Sequence, residues 1–178
     1  MRFQFTIAAA ALAVVSATPV ARRGIFDKTS TITSTKHINA PVEAVVATLQ
    51  NFTAMIHLNP LVTNAVQDPS DPTGNTFSVT DGIPLFAGLS LPTTYSAHFD
   101  TVENGMDTNN TVAAGVTLHN EWRAVANPTG GTDLTETDTL VANVLLSGII
   151  TDELKTSHTQ LMNTLADQLE AAAGTASS

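Results

Sequence analysis

His158 is the residue whose placement most invites chemistry. It follows Leu154 by four residues and precedes Leu161 by three, so on a helix it falls near the centre of an apolar stripe. An imidazole there can hydrogen-bond a ligand or exchange a proton near neutral pH. The competing reading is a core or rim histidine satisfied by backbone or a carboxylate. Two acids offer it partners. In a strand over 132–146, Leu134, Glu136, Asp138, Leu140, Ala142, Val144 and Leu146 share one face. Over 116–126, Val116, Leu118, Asn120, Trp122 and Ala124 do the same. A hairpin turning at 127–131 places Trp122 opposite Glu136 and Asn120 opposite Asp138; a two-residue slip would keep the faces and change the pairs. Carboxyls among aliphatics have their pKa raised by burial, which prepares an acid or a base. Alternatively the strand twists and both acids end in water at the sheet edge.

The other chemistry-bearing side chains read as structural. Asp81 shares a face with Phe77 and Val79 but precedes Gly82, which favours a turn role. His119, Glu121 and Arg123 alternate as a solvated outer face, and His98 also reads as outward. His37 and His57 have no second ligand at metal spacing, and neither His-x-His nor Glu-x-x-His occurs, so no metal is expected. Zero cysteines remove disulfides, thiolate metal sites and thiol nucleophiles. Gly130-Gly131 is a turn with no helix behind it to cradle a phosphate, and no Gly-x-Ser-x-Gly or Walker pattern is present. No cofactor is expected. The 16 acids against seven Lys and Arg give a net charge of −9, without the basic patch that a nucleic acid or an anionic membrane requires.

The first residues read as an address. Arg2 precedes an apolar run from Phe3 to Ala17, and Val15-Ser16-Ala17 ends it with a signal-peptidase pattern. The run is too short for a spanning helix of about 20 residues. Residues 1–17 are therefore expected to be a signal peptide, and 18–23 a pro-segment removed after the dibasic Arg22-Arg23. A secreted mature chain of 24–178 remains; an uncleaved N-terminal anchor helix is the alternative. Asn51-Phe52-Thr53 and Asn109-Asn110-Thr111 are glycosylation sequons that agree with a secretory route.

The elements that must position these side chains follow from periodicity. Residues 29–38 are rich in β-branched side chains and predict a strand. A helix starts near Pro41, with Val42, Val45, Val46 and Leu49 on one stripe. A second short helix, capped by Thr53, must stop before Pro60. Alternating runs broken by turn residues then predict strands at 62–67, 75–83, 93–102, 106–114, 116–126 and 132–146, an antiparallel meander. The segment 148–173 is helical, with Ile150, Leu154, Leu161, Leu165 and Leu169 on one side and Asp152 and Glu153 near its start. Leu85, Phe86, Leu89 and Leu91 lie in a Pro- and Gly-punctuated loop that reads as an apolar lid or a plug under the sheet. The class is α+β, one domain, its curved sheet covered by the last helix.

This order resembles the helix-grip fold of the START/Bet v 1-like superfamily, also called SRPBCC or polyketide cyclase-like. His37-Ile-Asn-Ala-Pro-Val-Glu-Ala-Val-Val-Ala-Thr-Leu49 is similar to its first strand and helix, and Ile56-His-Leu-Asn-Pro-Leu-Val62 to its second-helix exit. The likeness covers about residues 29–172 and is greatest to small fungal members. The glycine-rich loop of the plant pathogenesis-related branch is missing between 67 and 76. The resemblance implies six to seven strands, two short helices and a long C-terminal helix over a cavity. It also implies a small apolar ligand (a lipid, sterol or aromatic metabolite), bound in part by Trp122, Asn120, Leu154, Leu161, Leu165 and Phe86. A cofactor-independent cyclase, dehydratase or isomerase using His158, Glu136 and Asp138 is the second expectation. A secreted interaction protein with an incidental cavity is the third.

Overall fold

The structure, a computed structural model, describes residues 26–84, 89–112 and 115–176. The expected leader and Phe86, with Leu85 of the same loop, lie outside the described residues.

Strand β1 (Asp27–Ile38) opens the domain, followed by α1 (Val42–Leu49) and α2 (Phe52–Leu58). Helix α1 begins directly after Pro41, whose φ of −60° suits a helix entry, and buries Val45 and Leu49. The cap of α2 is Asn51 and not Thr53: the Asn51 carboxamide oxygen accepts the Ala54 N–H at 3.2 Å, whereas Thr53 already lies inside the first turn. Pro60 then stops α2 at Leu58.

Six strands follow as a meander: β2 (Val62–Gln67), β3 (Thr76–Pro84), β4 (Ser90–Val102), β5 (Gly105–Val112), β6 (Thr117–Ala126) and β7 (Thr132–Asn143). The sheet order is β1-β7-β6-β5-β4-β3-β2, with every neighbouring pair antiparallel. Strand β1 therefore lies beside the last strand. Gly131, at φ 74°, completes the β6–β7 turn in the left-handed region that glycine tolerates. Gly105 is required for another reason: a Cβ there would collide with the carbonyl of Trp122 on the neighbouring strand.

Helix α3 (Val144–Ala176) begins four residues earlier than periodicity places it, which corrects the expected strand 132–146. Asn143 accepts the Leu145 N–H at 3.0 Å and turns the chain into helix there. Val144 and Leu146 consequently leave the strand face and are largely exposed. Asp152 and Glu153 stand in the third turn, so the first turn carries no acid to meet the helix dipole.

The apolar positions of α3 cover the sheet unevenly. Beneath its C-terminal half, Leu161, Met162, Leu165 and Ala166 pack into a continuous core with Ile38, Leu49, Phe77, Phe99, Trp122 and Leu134. Phe52 stacks on Phe99 at 5.0 Å, and Phe77 meets the same ring edge-on at 5.7 Å. Lys36 Nζ donates to Asn163 at 3.0 Å, and the Asn39 N–H to Glu170 at 2.8 Å, which ties this half to the β1 end of the sheet. Beneath the N-terminal half the described residues form a small cluster of Val116, Leu140 and Ala142, with Ile150 against it. The sheet is thus filled at one end and open at the other. Among the described residues no helix is long and apolar enough to cross a membrane.

Candidate functional site

His158 stands at the boundary between the two halves. Register puts its partners there: Trp122 pairs with Glu136 and Asn120 with Asp138 across β6 and β7, the pairing expected without the slip. Alternation along β7 turns Leu134, Glu136, Asp138, Leu140 and Ala142 inward, so the two acids are buried (0% and 2% exposed) rather than carried to a watery edge. Glu136 Oε1 lies 2.5 Å from His158 Nδ1, and Asp138 Oδ2 is 3.6 Å from the same nitrogen. The Trp122 ring lies 6.3 Å from the imidazole, tilted by 33°.

A chain of amides holds the second acid. Asn120 Nδ2 donates to Asp138 Oδ1 at 2.5 Å, and Asn120 Oδ1 accepts from Thr108 Oγ1 at 2.6 Å and Asn110 Nδ2 at 2.9 Å. No fully buried side-chain atom of that chain is left without a partner. Glu136 Oε2, by contrast, is buried with no hydrogen-bond partner. An unpaired buried carboxylate oxygen is costly, and the titration follows. Burial pushes the Glu136 carboxyl up to about 7, opposed by His158 and assisted by Asp138. Burial also works against the charge on His158, but Glu136, then Asp138 and Asp81, outweigh it and hold the imidazole above its ordinary value.

Asp81 is a correction. It is not a turn residue: it pairs with Val62 and Thr93 inside β3, which continues through Gly82 to Pro84. Its carboxyl accepts the Tyr95 hydroxyl at 3.4 Å. Burial pushes it up to about 6, against the pull of Tyr95 and His158. Burial, together with the Asp81 charge, raises the Tyr95 hydroxyl in turn.

Two adjoining cavities lie under α3 and share Asn59, Tyr95, Asn110 and His158. The smaller, about 70 Å³, is lined by Val79, Met106, Trp122 and Leu161 among others. The larger, about 190 Å³, runs under the N-terminal half of the helix between Ile83, Val112, Leu118, Leu140, Ile150 and Leu154, with Asp81, Glu153 and Ser157 on its wall. Trp122, Asn120, Leu154 and Leu161 line one cavity or the other, whereas Leu165 is packed in the core and lines neither. Glu136 and Asp138 lie behind His158 rather than on the cavity surface. With Nδ1 committed to Glu136, Nε2 is the ring nitrogen left for a molecule in the cavity.

Sequence reasoning finds the acids and the imidazole, assigns Asp81 to a turn, and does not single out Tyr95 or the Thr108–Asn110 support. Tyr95, the only tyrosine, alternates with Ala97 and Phe99, both buried, and that signal was available. On the outer face Arg123 pairs with Asp107 and with Glu121 at 3.2 Å, while His119 Nδ1 meets Asn109 Oδ1 at 2.9 Å. Asn51 and Asn109, the sequon residues, are both exposed.

Spacing along the chain offers no metal ligands, yet pairing across strands gathers two three-donor groups, Glu136–Asp138–His158 and Asp107–His119–Glu121, each within 4.8 Å. Donors about 2.0–2.1 Å from a tetrahedral zinc stand about 3.3 Å apart. The 2.5 Å between Glu136 and His158 is a hydrogen-bond distance, shorter than that spacing, and Arg123 already engages Asp107 and Glu121.

A family model described as a domain of unknown function, DUF7053, matches residues 27–171. No curated protein matches the chain significantly in sequence. Similar solved structures include a START superfamily protein from Mycobacterium smegmatis (TM-score 0.62, 14% identity, 80% of this chain and 98% of that one). The Zhui aromatase/cyclase from Streptomyces sp. R1128 is also similar (0.62, 14%, 80% and 94%). So is BexL, a di-domain ARO/CYC from the BE-7585A biosynthetic pathway (0.60, 15%, 80% and 50%); this chain spans half of it. Likeness at such identities establishes the START-type helix-grip fold and nothing finer.

Proposed function

The chain belongs to the DUF7053 family, and from that premise we propose that it binds a small, largely apolar molecule beneath the first half of α3. The observation that carries this reading is the cavity of about 190 Å³, walled by Ile83, Val112, Leu118, Leu140 and Leu154 and given polarity by Asp81, Tyr95 and His158. Pockets for small molecules run from about 300 to 1,000 Å³, so this cavity with its smaller neighbour suits a compact ring system better than a long chain. Apolar burial at about 25 cal/mol per Å² supplies the affinity, and the polar side chains orient the guest. The leader expected at residues 1–17 supports an extracellular site of action, which N-terminal sequencing of the mature protein would check.

A second reading, acid–base conversion of the bound molecule, is favoured by one arrangement. Glu136, pushed up to about 7, is hydrogen-bonded to an imidazole that faces the cavity. Such a pair exchanges protons at neutral pH, and general acid–base assistance is worth about 10²–10⁴ in rate. The similarity to the Zhui aromatase/cyclase supports this reading at the level of fold.

Native mass spectrometry with sterols, fatty alcohols and aromatic polyketides tests the binding reading. A specific one-to-one adduct is expected, lost in Leu118→Trp, which fills the cavity. An adduct that survives that substitution, or none with any probe, would refute it.

A further inference from the structure

We propose that the guest of the larger cavity carries a basic amine, and that the cavity rejects carboxylates. This rests on the binding reading above and names the chemical class that the site takes.

The charged side chains on the wall are Asp81 from β3, Glu153 from α3 and His158. The described residues contain four Lys and Arg, and none of them lines either cavity. Lys36 reaches Asn163, and Arg123 is held by Asp107 and Glu121 on the outer face. Lys28 and Lys155 are exposed. The one cation available to a carboxylate guest is His158, and its charge is already met. Glu136 Oε1 stands 2.5 Å from Nδ1, Asp138 Oδ2 stands 3.6 Å away, and Glu136 Oε2 has no hydrogen-bond partner. A carboxylate entering here meets Asp81 and Glu153 in front and an overmatched imidazole behind.

The same wall suits an ammonium group. Asp81 Oδ1 accepts only the long 3.4 Å bond from Tyr95, and Oδ2 has no partner among the described residues, so the carboxylate has acceptor capacity left for a charged donor. Tyr95 and Asn110 supply further oxygen acceptors around the junction of the two cavities. Charge sign therefore selects the head group while the aliphatic wall selects the body. Of the two contributions, the first discriminates among guests of equal size, because like charges brought together at a half-buried site are rejected strongly.

A matched set on one skeleton isolates the head group: 2-naphthylmethylamine, 2-naphthylmethanol and 2-naphthylacetic acid, titrated calorimetrically into the full chain at pH 7.4. The expected order is amine, then alcohol, then acid, with about tenfold or more at each step. Asp81→Asn should remove most of the amine-to-alcohol preference, and Glu153→Gln, a change on the helix that leaves the sheet untouched, should remove a smaller part. An acid that binds as well as the alcohol, or an amine preference that survives both substitutions, overturns the proposal while leaving apolar binding intact. Failure of all three compounds to bind would overturn the binding reading itself, and this inference with it.

Discussion

Replacing Glu136 by Gln should stabilise the protein in mild alkali and change it little in acid. Gln has the shape of the protonated carboxyl and keeps an oxygen for His158, so the variant copies the wild type wherever Glu136 holds its proton. In the fold the carboxyl keeps that proton up to about 7, against an ordinary value of 4.5, because it is buried. Between those values the folded state binds more protons than the unfolded one, so stability falls as pH rises through the window. At 1.36 kcal/mol per tenfold, the ionised carboxylate costs about 3 kcal/mol above pH 7. Part of that is already spent at pH 5, so the advantage of Glu136→Gln over wild type should grow by about 2–3 kcal/mol from pH 5 to pH 8. For a domain of this size that corresponds to about 5–10 °C in Tm. Urea titrations read it out directly, since Trp122 is the only tryptophan and is buried beside the site. A constant difference between the two pH values would refute the burial account. A variant less stable than wild type at pH 8 would show instead that pairing with His158 outweighs the cost of burying the charge.

Three further outcomes follow from the packing. Asn120→Ala strips the partners from Thr108, Asn110 and Asp138 at once and should cost about 2–4 kcal/mol in urea denaturation; a loss under about 1 kcal/mol would show that the chain of amides is dispensable. Gly105→Ala drives a Cβ into the Trp122 carbonyl, so soluble expression should collapse, and a circular dichroism spectrum like that of wild type would contradict the close approach. Leu165→Ala, in the packed half under α3, should cost about 2–5 kcal/mol, whereas Ile149→Ala on the exposed first turns should stay within about 0.5 kcal/mol; equal losses in a thermal melt would contradict the division of α3 into packed and open halves.

The inward faces of β6 and β7 were legible because strand alternation has a strict period of two, and Gly130-Gly131 pinned the register of the hairpin. The stripe on α3 was legible for the same kind of reason. What failed were boundaries and caps, where a single side chain decides. Asn143 bonding the Leu145 N–H began the helix four residues early, and Asn51 displaced Thr53 as the cap of α2. Asp81 was misplaced because Asp-Gly is turn chemistry in isolation, yet here Gly82 pairs with Pro92 of β4, and its N–H bonds the Leu61 carbonyl at 2.7 Å just ahead of β2. Leu165 shows the limit of a periodic stripe. Periodicity says which side of a helix faces the sheet, but not whether the space beneath is filled or empty, because that depends on residues brought in from β1, α1 and α2.

That division gives the position of His158 its meaning. The C-terminal half of α3 is fixed by Leu161, Met162, Leu165 and Ala166 and by the ties from Lys36 and Asn39. The N-terminal half rests on a thin cluster beside the cavity. His158 falls at the changeover, fastened to β7 through Glu136 and exposed to both cavities. A buried ionisable pair is a poor way to stabilise a domain, since apolar residues of similar volume serve as well or better. Two carboxyls and an imidazole where packed core meets open space are the groups that the guest proposed for that space would meet. Stability alone would have been served better by leucine.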